Sequence, residues 1–251
     1  MHPALGLVIA YLSGSIPFAY LAGRLRKGID LRQHGSGNLG ATNVYRLLGW
    51  RIALIVLLLD AAKGALPVLF LPELMGVGDT SSGEYAWAWP IAYGVAAIAG
   101  HVRSVFLLWK GGGKGVATAA GVFFALALTP MIVATVVWLG VVLATGYVSL
   151  ASILAALALP IAIAMVKGTS SPLLHVSLVV AFFVVWTHRA NIGRLRRGEE
   201  HRFGKRKAEP VAPPPSGVPD DRVGRRTGTG LGKEARGTAS GGKSAGPGGE
   251  G

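Results

Sequence analysis

The sequence predicts an all-α integral membrane protein, with seven transmembrane helices whose polar loops converge on the cytoplasmic face. Three observations predict it. Hydrophobic residues make up 51% of the 251 and charged residues only 15%, with a mean hydropathy of +0.49, whereas a soluble domain carries about 25% charged residues. The apolar residues fall into runs, and a bilayer crossing takes about 20 of them per helix. Arg and Lys collect in the loops on one side of those runs, the asymmetry that marks cytoplasmic loops.

The first run, 3–23, reads as a span and not as a secretory leader. No basic residue precedes it, and Pro17 and Arg24-Leu25-Arg26-Lys27 lead it into a basic loop. The second, 50–71, holds Asp60 and Lys63 at a spacing that puts them on one helix face. Either charge alone would be costly in hydrocarbon, so they read as a mutual pair facing the bundle interior, with a substrate contact from Lys63 as the alternative. The third run is 87–107. The fourth and fifth, 115–129 and 131–146, are short and meet at Thr129-Pro130, which suits a tight turn; a re-entrant 115–146, leaving five spans, is the alternative. The sixth is 149–166. The seventh, 172–188, contains His175, read as a packing residue.

The segment 72–86 carries Glu73, Asp79 and Glu84 and no Lys or Arg, while 24–51, 103–114 and the region after 188 are basic. The N-terminus is therefore expected outside and the C-terminus in the cytoplasm, Lys167 being the single exception. Trp87, Trp89, Trp109, Trp138 and Trp186 sit near expected span ends, as an aromatic belt requires. Residues 1–207 form the expected membrane domain. Residues 208–251, rich in Gly and Pro and basic, cannot bury enough apolar surface to offset chain entropy, so a disordered cytoplasmic tail is expected. The net charge of +13 and pI near 10.5 are read as affinity for anionic lipid rather than nucleic acid.

Two motifs in the tail mislead. Gly237-Thr-Ala-Ser-Gly-Gly242-Lys243-Ser244 fits a P-loop, and Gly242-Lys243-Ser244-Ala-Gly246 fits a nucleophile elbow. Both motifs need a strand before and a helix after, and the Gly-rich tail offers neither.

The informative residues form three polar clusters, all on the expected cytoplasmic face. The first contains Gly35, Ser36, Gly37, Asn38, Gly40, Thr42, Asn43 and Arg46. Spaced glycines let backbone N–H groups turn toward one point, as in an anion nest, and Arg46 adds a bidentate phosphate donor. A plain connecting loop is the competing reading. The second is His101-Val-Arg-Ser-Val-Phe-Leu-Leu-Trp-Lys110-Gly111-Gly112-Gly113-Lys114-Gly115-Val-Ala-Thr118. Three glycines and a lysine at a helix start favour a phosphate at Gly112, Gly113, Lys114, Gly115 and Thr118 over a merely positive loop. The third places His188 and Asn191 one turn apart, ahead of Arg194; its competing reading is an interfacial basic stretch. A further element, Thr145-Gly-Tyr147-Val-Ser149-Leu-Ala-Ser152, falls on the same face and adds Ser149.

Absences narrow the chemistry. The chain has no Cys, no His with an acid five positions on, no credible Ser–His–acid set and no dense carboxylate cluster for Mg²⁺. Neither metal nor cofactor is expected, and catalysis is left to positioning and electrostatics. A transporter for a phosphorylated solute is a rival, but no internal repeat is evident. A lipid-binding scaffold acting through its tail is another.

Six motifs carry a resemblance. They are Gly14-Ser15-Ile-Pro17, Gly35-Ser36-Gly37-Asn38-Leu-Gly40-Ala-Thr42-Asn43, Asp60-Ala-Ala-Lys63-Gly64, Gly100-His101, Gly112-Gly113-Lys114-Gly115-Val-Ala-Thr118 and His188-Arg-Ala-Asn191-Ile-Gly-Arg194-Leu. Over about residues 5–207 the chain resembles the bacterial acyl-phosphate:glycerol-3-phosphate acyltransferases, the PlsY family. The resemblance implies a seven-span enzyme of the bacterial plasma (inner) membrane. It would move a long-chain acyl group from acyl phosphate to position 1 of glycerol 3-phosphate, giving lysophosphatidic acid and phosphate, the first step of phospholipid synthesis. By the same resemblance Ser36, Arg46, Lys114, His188 and Asn191 match the functional polar positions, and a substrate phosphate takes the hydroxyl proton. A monomer is expected. The sequence departs from the family at Arg103 and Ser104, which stand where an aromatic and a Pro are usual, and at the third glycine before Lys114.

Overall fold

The computed structural model describes residues 2–78 and 85–204. The expected tail 208–251 and both of its motifs lie outside the described residues, as do Asp79 and Glu84.

Among the described residues ten α-helices follow in order: α1 Pro3–Ser15, α2 Phe18–Lys27, α3 Ala41–Leu48, α4 Trp50–Leu74, α5 Ala88–Val102, α6 Val116–Leu126, α7 Leu128–Thr145, α8 Val148–Lys167, α9 Pro172–Thr187 and α10 Arg189–Arg196. Among the described residues there is no strand. Large apolar side chains stand exposed along the helices, among them Leu58, Phe70, Leu143, Met165 and Phe182. In water such a surface would be a liability; around a membrane domain it is the lipid-facing coat.

Each of the seven apolar runs is helical, but helix length does not yield seven full spans. Five stretches are long and apolar enough to cross: Pro3–Lys27, Trp50–Leu74, Ala88–Leu107, Leu128–Thr145 and Val148–Lys167. Helices α9 and α10 make a sixth if taken together, bent by 55° at their junction. Helix α6 has only 11 residues, about 16 Å against a hydrocarbon core of about 30 Å. The re-entrant reading of 115–146 also fails, since α7 is a crossing-length helix of its own.

Three local expectations are corrected. The turn between the fourth and fifth runs sits at Ala127, with φ −152 and ψ 69, not at Thr129-Pro130. Pro130 lies in the first turn of α7, where its missing N–H has no helical acceptor to lose. Trp138 is not a belt residue. It lies inside α7 and its Nε1–H donates to Ser152 Oγ of α8 at 3.3 Å, joining two neighbouring helices. His175 is exposed on α9 rather than packed.

Small residues set two close helix crossings. A Cβ on Gly14 of α1 would stand 2.0 Å from the Ala97 carbonyl oxygen of α5, and one on Gly100 of α5 would stand 2.2 Å from the Tyr11 oxygen of α1. Helix α4 meets α6 in the same way, through Gly64 against Thr118 O and Gly121 against Ala61 O. Apolar burial between helices is worth little in lipid, so backbone-to-backbone approach of this kind supplies the packing. Tyr93 of α5 and Phe123 of α6 are both fully buried, Tyr93 beside Ala10 and Leu71 and Phe123 beside Ala134 and Ile163.

Candidate active site

The site forms where four connections meet: the 30–40 loop before α3, the glycine loop before α6, the α7–α8 turn and the α9–α10 junction. The first loop folds on a 3-10 turn at Leu31–Gln33, capped by Asp30, whose carboxylate accepts from the Arg32 backbone N–H at 3.0 Å. Arg32 also grips that carboxylate, Nη2 to Oδ2 at 2.6 Å, which holds Asp30 below the usual carboxylate range.

Asn43, fully buried in α3, closes this loop. Its Oδ1 accepts from the Ser36 N–H at 3.0 Å, and its Nδ2 donates to the carbonyls of Leu31 and His34 at 3.3 and 3.1 Å. Asn43 was expected among the phosphate-binding residues. With its amide spent on the loop backbone it is a residue that shapes the loop instead. Gly35 and Gly37 adopt φ of +61 and +68, a region that β-carbon-bearing residues rarely enter. Gly35 and Ser36 are exposed, Gly37, Asn38 and Thr42 are half-buried, and Gly40 is the N-cap of α3.

The second loop docks on the first. The Leu39 N–H donates to Gly112 O at 3.3 Å, and Arg32 Nη1 donates to the Lys110 carbonyl at 2.8 Å. Beneath it lies His101 of α5. The Gly113 N–H donates to the His101 carbonyl at 3.3 Å, and a Cβ on Gly113 would stand 1.9 Å from the His101 ring. Only glycine lets the loop sit this low. The imidazole in turn lies 3.6 Å from Asp60 Oδ1, and Lys63 Nζ lies 2.7 Å from the same atom. Asp60 and Lys63 are therefore an interior ion pair, buried on α4, and Lys63 also donates to the Ile16 carbonyl at the α1–α2 break at 2.7 Å. The two side chains also line a small cavity that they share with His101, Gly112 and Gly113.

Thr118, expected at the phosphate, is a packing residue: it is fully buried one turn into α6, with its backbone against Gly64. Gly115, with φ +80, caps the start of that helix.

Lys114 leaves the glycine loop and donates to Asn191 Oδ1. Asn191 donates through Nδ2 to Glu200 Oε1 at 2.6 Å; Ser149 donates to the same oxygen at 2.9 Å; Arg194 Nε donates to Glu200 Oε2 at 2.7 Å. Burial pulls the Lys114 pKa down to about 8, with Glu200 opposing and Arg194 and Arg46 adding to the fall. His188 is buried at the α9–α10 junction, close enough to Lys114 to feel its charge. Its Nδ1–H donates to the Val184 carbonyl at 2.8 Å, which leaves Nε2 as the ring's acceptor.

The fold thus brings Arg46, Lys114, Ser149, His188 and Asn191 together from four separate connections. Ser36 belongs to the adjoining loop and is exposed. Among the described residues, no group of three or more His, Asp or Glu side chains is placed to hold a metal ion. Sequence reasoning missed Glu200 and Arg32. Glu200 is one of two adjacent acids in a basic run, and no local pattern separates it from the exposed Glu199.

A family model described as glycerol-3-phosphate acyltransferase matches residues 4–198. Among curated proteins the chain is 46% identical to a glycerol-3-phosphate acyltransferase of Synechococcus sp. (strain CC9902), over 200 residues covering 80% of this chain and 94% of that one. It is 45% identical to one of Geobacter sulfurreducens over 196 residues, 78% and 94% of the two chains. Among solved structures it is similar to PlsY, an integral membrane glycerol 3-phosphate acyltransferase. The glycerol 3-phosphate form matches at 40% identity and TM-score 0.71, covering 80% of this chain and 96% of that one. The lysophosphatidic acid form matches at 39% identity and TM-score 0.68, covering 80% and 95%.

Proposed function

The chain belongs to the glycerol-3-phosphate acyltransferase family, and on that footing we propose that it transfers a long-chain acyl group from acyl phosphate to the sn-1 hydroxyl of glycerol 3-phosphate. The observation that carries the reading is the cationic cluster of Arg46, Lys114 and Arg194, assembled around Asn191 and His188 with no Cys and no Ser–His–acid set among them. Such a cluster suits two phosphate-bearing substrates, and it stabilises charge without forming a covalent intermediate.

In the proposed step the glycerol 3-phosphate hydroxyl oxygen attacks the acyl carbonyl carbon. The bond from that carbon to the phosphate oxygen breaks, and the hydroxyl proton passes to a substrate phosphate. Lysophosphatidic acid and inorganic phosphate result. Arg46, Lys114 and the N–H groups of the glycine loop bind phosphate and offset charge growing on the carbonyl oxygen. Ser36 and Asn191 orient oxygens, and His188 accepts or orients through Nε2. Gly35, Gly37, Asn38, Gly40 and Thr42 form the rim of the first loop, and Ser149 supports the site from α8.

The protein works as a monomer in the bacterial plasma membrane, with its N-terminus outside and the site on the cytoplasmic side. Lys114, just before α6, and Ser149, just past α7, belong to one hydrogen-bonded chain through Asn191 and Glu200, which supports this topology: α6 leads away from the site and α7 returns to it, and we count α6 as a short seventh crossing. Residues 1–207 are the catalytic domain. Deleting 208–251 is expected to leave specific activity within about twofold of the full chain; loss of activity would shift the function toward the tail.

The decisive assay is phosphate release by the purified protein from palmitoyl phosphate plus glycerol 3-phosphate, with palmitoyl-CoA and acceptor-free reactions in parallel. Acceptor-dependent release with lysophosphatidic acid formed is expected. Activity with the thioester alone would overturn the donor. Silence with both donors would overturn the reaction.

A further inference from the structure

Glu200 has no part in the chemistry just described, yet both of its carboxylate oxygens are bonded. We infer that Glu200 is a positioning residue: it fixes the amide of Asn191, and through it the ammonium of Lys114, in the orientation that acyl transfer needs. The inference rests on the reading of the site proposed above and deepens it.

An ionised carboxylate only accepts hydrogen bonds. Placed 2.6 Å from Asn191 Nδ2, it obliges the amide to turn its two N–H donors inward and its oxygen toward Lys114. Without an acceptor at that point the amide could present either end, and an N–H facing the ammonium would repel it. The carboxylate is itself held rigidly. Ser149 of α8 and Arg194 of α10 donate to its two oxygens, and its side chain is only 3% exposed.

The backbone that carries Glu200 is pinned on both sides. Before it, Gly198 turns the chain back at φ +71 and the Glu199 N–H donates to Arg194 O at 2.9 Å. After it, the Phe203 N–H donates to the Gly146 carbonyl at 2.6 Å. The Phe203 ring stacks on Tyr45 of α3 with centroids 4.6 Å apart, and Arg202 Nε donates to Tyr147 OH at 3.0 Å. Residues 198–203 are thus a return strap from α10, across the α7–α8 turn, to the residue beside Arg46. It delivers one negative charge to a site otherwise built of cations.

That charge has a second consequence. The charged and titratable groups around Lys114 are Arg46 from α3, Arg194 from α10, His188 at the α9–α10 junction and Glu200 on the strap. Glu200 alone favours the protonated ammonium. Removing its charge lowers the pH at which Lys114 loses its proton.

The test compares the full chain with Glu200→Gln and Glu200→Asp for acceptor-dependent lysophosphatidic acid formation across pH. The Gln variant keeps the size but puts an NH₂ against one of three donors. Its kcat is expected to fall about 10- to 100-fold, as displaced catalytic groups do, with KM for glycerol 3-phosphate changing far less. The alkaline limb of its kcat/KM profile moves to lower pH, and Glu200→Asp restores part of that limb. Wild-type kcat and an unmoved limb in Glu200→Gln would overturn the inference. So would a variant that folds in lower yield but has normal specific activity and an unmoved limb. If the Gln variant does not fold, Phe203→Ala loosens the strap with Glu200 intact. A smaller kcat loss is then expected, and unchanged kcat overturns the inference. Failure of the wild-type chain to form product overturns the proposed function, and the part of Glu200 with it.

Discussion

Replacing Lys114 with alanine abolishes acyl transfer and leaves the protein folded. Removing a single preorganised stabiliser of developing charge costs about 10²- to 10³-fold in kcat. Lys114 also contributes to binding the phosphates, so the loss in kcat/KM is larger still. Folding survives because the loop is held by backbone bonds, Leu39 to Gly112 and Gly113 to His101, which alanine leaves in place. Lys114→Arg recovers little, since the bulkier planar guanidinium does not reproduce the compact point charge that the ammonium places beside Asn191.

The pH dependence separates two roles for the same residue. The ammonium is the working form of a charge stabiliser. With its pKa pulled down to about 8 by burial, it is fully charged below that pH and neutral above it. Hence kcat/KM is level on the acid side of about 8 and falls tenfold per pH unit beyond it. A rise through the same range would instead make the neutral amine a general base. Near-normal activity in Lys114→Ala, measured as lysophosphatidic acid formed, would remove Lys114 from the site altogether.

Asp60→Ala produces the largest loss of stability. The pair it breaks is almost wholly enclosed, with side chains 4% and 2% exposed. Lys63 then retains the Ile16 carbonyl and the face of Phe18, 5.4 Å away, both neutral partners for a full charge among apolar helices. Removing one member of a buried ion pair costs about 3–5 kcal/mol, which lowers Tm by roughly 10 °C in a domain of this size. Replacing both residues, as Asp60→Asn with Lys63→Met, recovers most of that loss because no charge is left stranded. Thermal unfolding in detergent micelles checks this. An Asp60→Ala Tm within 2 °C of wild type would mean that water reaches the pair. Activity falls as well, since His101 under the glycine loop rests on the same carboxylate.

The motifs legible in the sequence divide, in the structure, into two kinds. Ser36, Arg46, Lys114, His188 and Asn191 line or adjoin the site. Gly14, Gly64 and Gly100 mark helix crossings, and Asn43 and Thr118 shape or pack the elements around the site. The same short polar and small residues serve both purposes, so residue type at a given spacing does not tell a ligand contact from a backbone brace. What decides is whether the polar atoms are already spent. For Asn43 three bonds to its own loop spend them, a fact of folded geometry.

The sequence by itself determined that the chain is a bundle of membrane helices with glycine-rich, basic connections, because those properties are local. Twenty apolar residues will be helical in lipid whatever their neighbours do, and glycines and basic residues in the connections can be read off one stretch at a time. The tertiary structure alone decided the partners. Lys114 reaches Asn191 across 77 residues of chain, and Ser149 reaches Glu200 across 51. It also decided that α6 ends early, at Ala127, and that Glu200 rather than Glu199 turns inward. Each of these follows from how the return strap and the glycine crossings bring distant backbone together. Close approach in space depends on the sum of many small packing choices, and no run of neighbouring residues records that sum.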